Sequence, residues 1–236
     1  ATNVVVTDEI PAGTTFKAGS SNVPASVQGN IVSFNLGDLG FTEVQTITYT
    51  LESSPNLWSQ QIFLDDVPED DIFWLAYPIG DSPSSNIWTV TDAYPANSGD
   101  FLWICQEGAN PSRQALELDV DEYTFQVSGN RPALRFYHRY QTQAGLNGGV
   151  VDIREVGTTT WKQLNNNMLR NGYPGFLAYG TFVVPNLQAF SGNSGGEFEA
   201  TYIDLGEWMG KDIQIRFRFG TDANTNGGIG WLVDDI

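Results

Sequence analysis

Apolar and polar residues alternate in short runs along most of the chain, and a period of two residues predicts β-strands. Glycine, proline, serine and asparagine separate the runs, as they do in turns. Near the start of the chain the alternation predicts strands at residues 3–10, 30–37 and 44–52. Further along it predicts strands at residues 115–120, 134–140, 148–156, 159–164, 196–205, 212–220 and 229–236.

Helical periodicity is almost absent, since residues 205–212 allow at most one helical turn between two strands. Only about three to five strands fit into residues 1–54, whereas an independent sandwich usually has about seven. We therefore expect a domain boundary near Ser54, with an incomplete sandwich before it and a larger β-domain at residues 55–236. The same reasoning predicts that the sequence begins within one domain and stops just short of completing another.

The charge balance narrows the classes of partner. The chain has 236 residues, with 28 acidic and 11 basic side chains and a net charge of −17. A strongly acidic protein repels other polyanions, so we expect no nucleic-acid partner. No run of about 18 apolar residues occurs, which predicts no membrane insertion. The composition suits a secreted protein, and we expect an extracellular or cell-surface location.

The sequence offers little from which to build a catalytic centre. Its single histidine, His138, lies in a predicted strand, and one histidine cannot form a zinc-peptidase HExxH motif. Ser194 lacks the spacing and the strand-turn-helix context of a hydrolase nucleophile, so we expect it in a turn. Cys105, the only cysteine, lies among apolar residues and is expected to be a buried structural thiol. We expect no enzyme within this chain.

Acidic residues concentrate near the start and at the end of the larger domain. Residues 65–71 carry five carboxylates in seven positions, and the sequence closes with Asp234 and Asp235 before a final isoleucine. Calcium takes about six to eight oxygen ligands, and carboxylates supply both oxygen and charge. We therefore predict a Ca²⁺ site formed by Asp66, Glu69 and Asp234, completed by Asp235 or by backbone carbonyls. An ordinary acidic surface is the alternative.

Two features bear on whether the chain has a binding surface. Residues 163–196 form a long excursion rich in asparagine and glycine, and loops of this length are often functional. The seven tryptophans could stack on sugar rings, but sandwich cores also contain large aromatic side chains. Their spacing of about one per strand or turn favours core filling. They are Trp58, Trp74, Trp88, Trp103, Trp161, Trp208 and Trp231.

The opening residues resemble a known bacterial repeat. The run from Val6 to Gly13, Val-Thr-Asp-Glu-Ile-Pro-Ala-Gly, is followed by a turn at residues 36–39 and a closing threonine-rich strand. These elements resemble the second half of an immunoglobulin-like conserved repeat of bacterial surface and secreted proteins. The resemblance implies that the first strands of the repeat precede Ala1.

The larger domain resembles the jelly-roll modules of the MAM and immune-inhibitor-A type, which share a galactose-binding-like sandwich. Residues 63–74, 132–164, 189–222 and 227–236 carry the resemblance. Such modules also occur in secreted bacterial metallopeptidases, including relatives of fungalysin. The resemblance implies that the acidic start and the closing aspartates share a cation. It also departs at one point, because Asn147 stands where many relatives have aspartate.

These observations predict an all-β chain, with a partial Ig-like sandwich at residues 1–54 followed by a jelly-roll β-sandwich at residues 55–236. We expect a non-catalytic binding or adhesion region of a large secreted or cell-surface bacterial protein. Its expected partner is a glycan, a protein ligand or a neighbouring domain of the parent. One alternative is the accessory C-terminal region of an extracellular zinc metallopeptidase whose catalytic domain lies outside the chain. The other is a structural module of an extracellular filament.

Overall fold

A computed structural model describes residues 1–10, 14–53, 64–82, 87–108, 111–178, 187–222 and 228–236. The described residues consist of strands, turns and a single 3-10 turn, so the predicted all-β class is confirmed. The chain separates into two compact units, Ala1–Gln61 and Ile62–Ile236. The predicted boundary near Ser54 falls in residues 54–63, outside the described part, and stays a prediction. No helix in the described ranges is long and apolar enough to cross a membrane.

The first unit contains short antiparallel strands around a small core. They are β1 (Val4–Glu9), β2 (Thr14–Phe16), β3 (Ala25–Gln28), β4 (Ile31–Gly37) and β5 (Leu51–Ser53). β1, β4 and β3 form one sheet in that order, and β2 pairs with β5. Val32 and Phe34 of β4 are buried, whereas Val27 on the same face stays 47% exposed. The core face of this sheet is therefore only partly covered.

Two larger sheets form the second unit, and every strand pair in them is antiparallel. The six-stranded sheet has the order β13-β16-β10-β18-β8-β7. Its strands are β7 (Thr89–Thr91), β8 (Leu102–Cys105), β10 (Ala133–Gln141), β13 (Met168–Arg170), β16 (Glu199–Asp204) and β18 (Gly230–Asp234).

The five-stranded sheet has the order β12-β11-β17-β9-β6. Its strands are β6 (Trp74–Pro78), β9 (Ser112–Leu118), β11 (Gly148–Glu155), β12 (Lys162–Gln163) and β17 (Ile213–Thr221). A separate short ladder joins β14 (Gly175–Phe176) to β15 (Gln188–Ala189). The chain crosses between the two large sheets repeatedly, as it does in a jelly roll.

The two large sheets pack face to face over one aromatic core. Phe136 of the six-stranded sheet meets Phe217 of the five-stranded sheet edge to face, with ring centroids 5.0 Å apart. The rings of Trp74 and Trp231 also meet Phe217 edge to face, with ring centroids 5.6 and 5.7 Å from that of Phe217. Such edge-to-face pairs stabilise a core beyond the area that they bury. The second unit is thus a β-sandwich, as predicted.

Most predicted strands are present, with two exceptions. Of residues 44–52, only Leu51 and Glu52 are strand, at the start of β5. Side chains replace the ladder there, because Thr48 N donates to Asn22 Oδ1 at 2.8 Å and Thr50 N donates to Ser20 Oγ at 2.9 Å. Of residues 159–164, only Lys162–Gln163 pair with β11.

Between the strands predicted at residues 196–205 and 212–220 the structure has one helical turn, as expected, a 3-10 turn at Gly206–Trp208. The excursion at residues 163–196 was predicted as a long loop, and within its described part it carries β13, β14 and β15. These strands are two or three residues long, too short for a period of two to be visible.

Candidate functional site

The candidate site lies on the outer face of the six-stranded sheet, where β10 and β16 pair. Alternation along β10 turns Phe136 and His138 into the core, so Tyr137 between them faces outward. Cross-strand pairing sets Tyr137 opposite Ala200 of β16. Tyr202, two residues after Ala200, lies on the same outer face opposite Arg135 of β10.

A groove opens at this position because Ala200 is small and its neighbours are large. It has a volume of ≈ 290 Å³ and contains three aromatic rings, those of Tyr137, Phe198 and Tyr202. Two charged side chains, Arg170 and Glu199, and the amide of Asn171 complete the lining. Ala200 lies between the aromatic residues in the sheet and is buried.

Two arginines of β10 lie against the rings of the groove. The guanidinium of Arg135 lies 5.5 Å from the ring centroid of Tyr137, and that of Arg139 lies 5.1 Å from the centroid of Phe198. Arg139 is itself fixed, because it donates to the carbonyl oxygens of Gly196 and Pro95 at 2.9 and 3.3 Å. These contacts position the rings before any ligand arrives.

The two charged residues of the groove differ from the arginines behind it. Arg170 and Glu199 are exposed, and within the described part of the chain neither forms an ion pair. Asn171, next to Arg170, is held by two bonds: its Nδ2 donates to Ala200 O, and its carbonyl accepts from Thr201 Oγ1. The backbone beneath the charges is therefore fixed while their polar ends face solvent.

His138 lies in the core beneath the groove and has a structural role. Its Nδ1 accepts a hydrogen bond from Trp231 Nε1 at 3.0 Å, and its Nε2 lies 2.8 Å from Thr201 Oγ1. Thr201 Oγ1 donates to the carbonyl of Asn171, so it can accept from Nε2–H of a neutral imidazole. Burial lowers the pKa of His138 to about 3. The ring is neutral at physiological pH.

The other side chains considered for catalysis occupy structural positions, as predicted. The Ser194 hydroxyl accepts from Tyr140 N at 3.0 Å and donates to Tyr140 O at 3.4 Å, which closes a turn. Cys105 is fully buried, and burial raises the pKa of its thiol well above the usual value. Four tryptophans are buried as expected for core filling, two are half-buried at positions 161 and 208, and Trp58 lies outside the described residues.

The predicted calcium ligands fall into two environments. Asp234 and Asp235 are buried, whereas Asp66 and Glu69 are exposed. Asn97 N donates to Asp234 Oδ2 at 2.7 Å, and the Asn97 side chain donates to Asp235 Oδ2 at 2.5 Å. Burial raises the pKa of Asp234 to about 6, and the neighbouring charge of Asp235 acts in the same direction.

The segment that holds the closing aspartates also approaches Asp66. Ser98 donates to both carboxylates, through its backbone N to Asp234 and through Oγ to Asp235. A Cβ built on Gly99 would lie 3.8 Å from the backbone oxygen of Asp66. Even so, the described residues contain no group of three or more His, Cys, Asp or Glu side chains placed to hold a metal ion. Any cation here needs backbone oxygens, and the Ca²⁺ site stays a prediction.

Asp65 is the acid that the sequence analysis did not select. Its backbone pairs with Ile236 through two hydrogen bonds of 2.9 and 3.0 Å, and its carboxylate accepts from Val67 N and Trp74 Nε1. Burial, and then the charge of Asp71, raise the pKa of Asp65 to about 7. Asp65 and Val67 are buried on either side of exposed Asp66, and it is the packing that selects Asp65 as the buried acid.

The outer face of the five-stranded sheet also carries charged residues, but they are paired with one another. Asp152 of β11 is buried and accepts hydrogen bonds from Arg216 and Arg218 of β17 at distances of 2.8 to 3.3 Å. The guanidinium groups of Arg154 and Arg216 lie 4.4 and 4.1 Å from the ring centroid of Trp161. The Trp161 ring is therefore partly covered by its own neighbours.

This network extends across the sheet to its edge strand β6. Glu117 of β9 accepts from Arg154 at 3.0 Å and from the hydroxyl of Tyr77 on β6. Arg154 also donates to Gln214, whose amide donates to Leu118 O. Each charge in this network has an opposite charge or a dipole as its partner.

No protein-family model matches this chain, and no curated protein matches it. Among solved structures, the K2 cleaved adhesin domain of Lys-gingipain aligns with a TM-score of 0.36 and 15% identity, covering 69% of this chain and 86% of that one. Carbohydrate-binding modules from the β-sandwich superfamily align with a TM-score of 0.40 and 11% identity, covering 99% and 90%. At these values neither likeness identifies a ligand. The immunoglobulin-like and MAM-type resemblances stay predictions.

Proposed function

We propose that the second unit is a non-catalytic glycan-binding module and that the groove on the six-stranded sheet is its binding site. The observation that carries this proposal is the arrangement of Tyr137, Phe198 and Tyr202 around Ala200. A sugar ring has an apolar face that stacks on aromatic rings and an edge of hydroxyl groups that needs hydrogen-bond partners. The groove offers both kinds of contact.

The polar residues of the groove favour a neutral glycan. Arg170 can donate to sugar hydroxyls and Glu199 can accept from them, and neither has an ion-pair partner among the described residues that would compete. The charges of Arg170 and Glu199 are opposite, so these two residues together select neither an anionic nor a cationic ligand. The volume of ≈ 290 Å³ is at the small end of ligand sites, which span about 300–1,000 Å³, and suits one or two sugar units.

A glycan array followed by titration calorimetry tests this proposal. We expect the chain to bind a neutral glycan, and Tyr202→Ala to weaken that binding at least about tenfold, because burying an aromatic ring contributes about 1.5–3 kcal/mol. Phe176→Ala is the matched control, since Phe176 is 65% exposed and lies outside the groove. Absence of binding across the array, or equal loss in both variants, would refute the proposal.

We also propose that the module belongs to a secreted or cell-surface bacterial protein and serves in adhesion there, stabilised by Ca²⁺. The support for the cation is the pair of buried closing aspartates, Asp234 and Asp235, and the nearby backbone of Asp66. Glu69 remains part of the predicted set. Calcium would supply the positive charge that these carboxylates lack in the described structure.

Chelation tests the cation. We expect EDTA to lower the unfolding temperature and added Ca²⁺ to restore it, because a ligand that binds only the folded state stabilises it by mass action. Asp235→Asn should shrink this response, whereas Asp204→Asn, at the half-buried end of β16, should leave it unchanged. An unfolding temperature that is the same with and without EDTA would count against the site.

A further inference from the structure

Three loops meet at one end of the sandwich, opposite the end that holds Asp234. Glu107 follows β8, Gln143 and Asn147 lie between β10 and β11, and Asp222 follows β17. β18 begins at the same end with Gly230 and extends away to Asp234. Gly230 and Asp234 are four residues apart, and a strand rises about 3.3 Å per residue, so roughly 13 Å separates the two ends of β18. A ligand at this loop end is therefore distinct from the predicted site at the closing aspartates.

Hydrogen bonds through Asn147 join the three loops. Glu107 Oε1 accepts from Gln143 N at 2.8 Å and from Asn147 Nδ2 at 2.9 Å. Asn147 Oδ1 accepts from Asp222 N at 2.7 Å. Asn147 is only 1% exposed, so these bonds are shielded from solvent. The carboxylate of Glu107 is thus fixed in position at the centre of the cluster.

Within the described ranges, two oxygens of this cluster are buried without a hydrogen-bond donor. They are Glu107 Oε2, the second oxygen of the fixed carboxylate, and Gln143 Oε1. An unsatisfied buried polar atom costs about 1–3 kcal/mol, and more when it is charged. Two such oxygens, on residues that are hydrogen-bonded to each other, favour a positively charged ligand.

A backbone oxygen faces the same space. A Cβ built on Gly228 would lie 2.6 Å from Glu107 Oε2 and 2.3 Å from the carbonyl oxygen of Gln141. Only glycine is tolerated at position 228, since any side chain would collide with both oxygens. The carboxylate oxygen and the carbonyl oxygen thus both pack against this glycine and lie close to each other.

We propose that this loop end binds a Ca²⁺ ion through Glu107 Oε2, Gln143 Oε1 and the Gln141 carbonyl. Every one of these ligands is an uncharged or anionic oxygen, which is the donor set of calcium and not of zinc or copper. The sequence adds a second line of support, because Asp222 opens the run Asp-Ala-Asn-Thr-Asn-Gly. Oxygen-bearing side chains at alternate positions before a glycine are typical of calcium loops. Residues 223–227 lie outside the described ranges, so no ligand is assigned among them.

Calorimetric titration of the chelator-treated chain with CaCl2 tests the site. Glu107→Gln keeps one oxygen for the bonds from Gln143 and Asn147 and replaces the unpartnered oxygen with an amide. We expect this variant to lose at least about tenfold in Ca²⁺ affinity for one binding event. Asp235→Asn should leave that event unchanged. No Ca²⁺ binding at millimolar concentration, or the same binding in Glu107→Gln, would overturn the proposal.

NMR of the unsubstituted chain gives a test that does not depend on how a variant folds. We expect Ca²⁺ to shift the backbone amide signals of Gln143 and Asn147, and Mg²⁺ at the same concentration to shift them much less, because Mg²⁺ demands a stricter geometry. Shifts confined to residues around Asp234 would contradict a second site. An equal response to Mg²⁺ would contradict the assignment of calcium.

Discussion

The two outer faces of the sandwich carry the same kinds of side chain in opposite arrangements. On the five-stranded sheet, Asp152 is buried between Arg216 and Arg218, and the guanidinium of Arg216 also lies against Trp161. On the six-stranded sheet, Arg170 and Glu199 line an open groove and form no ion pair with any described residue. The first arrangement uses charges and rings to hold strands together. The second leaves them available to a ligand.

The difference follows from burial. A carboxylate removed from water is tolerated only when it is paired and hydrogen-bonded, so the Asp152 network must satisfy itself. An exposed charge such as that of Arg170 is hydrated and costs almost nothing to leave unpaired. Substitutions should therefore affect stability on one face and binding on the other.

Breaking the buried network should have the largest effect. Asp152→Ala leaves Arg216 and Arg218 without their common acceptor, and removing one partner of a buried ion pair costs about 3–5 kcal/mol. Urea denaturation of the variant should show this loss in the free energy of unfolding, while the folded fraction keeps its glycan affinity. A loss smaller than that of Glu199→Ala, measured in parallel, would show that the network is not structural.

Acid should weaken the fold through the histidine beneath the groove. Because burial holds the pKa of His138 at about 3 in the folded chain, the unfolded state binds a proton first as the pH falls below about 6.5. Stability due to this residue is complete above pH 6.5 and declines toward pH 3, by up to about 5 kcal/mol.

Two buried acids act in the opposite direction, and the measurement has to separate them. The raised pKa values of Asp65 and Asp234, about 7 and about 6, mean that stability from these groups falls as the pH rises from about 4. The unfolding free energy of the chain and of His138→Phe, measured from pH 4 to pH 8, should differ in slope by the contribution of His138. Parallel curves would contradict a neutral buried imidazole.

A matched pair of arginine substitutions should give the smallest effect and the sharpest contrast. Arg170→Ala should change stability by less than about 0.5 kcal/mol and weaken glycan binding by about 1 kcal/mol. Arg218→Ala should lower stability by several times more, because it removes a partner of Asp152, and leave glycan binding unchanged. If both variants changed the same property, the two faces would not have separate roles.

Local pattern predicted much of this fold. Alternation along residues 134–140 and 212–220 predicted strands β10 and β17, because burial of one face imposes a period of two on the sequence itself. The strand predicted at residues 44–52 was mostly wrong because Asn22 and Ser20, distant in sequence, supply the hydrogen bonds that a neighbouring strand would make. The lone histidine, the serine turn and the buried thiol followed from composition and neighbours alone.

The candidate site was not predictable in the same way. Tyr137, Arg170 and Tyr202 are far apart in the sequence, and only the pairing of β10, β16 and β13 brings them to one groove. Local alternation places Tyr137 and Tyr140 on opposite faces of the strand, but it does not show which residues of other strands lie beside Tyr137. Cross-strand register decides which side chains share a surface. Local alternation predicts each strand separately and gives neither its neighbour in the sheet nor the register of the pair.

The sequence by itself determined that this protein is a β-protein with acidic residues at both ends of its larger domain, since alternation and composition are local properties. Only the tertiary structure decided which acids are buried. Asp65 lies against Ile236 while Asp66, one residue on, faces solvent. Successive side chains of extended backbone point in opposite directions, so the side chain one residue away from a buried one faces solvent. The packing of the two sheets fixes that choice.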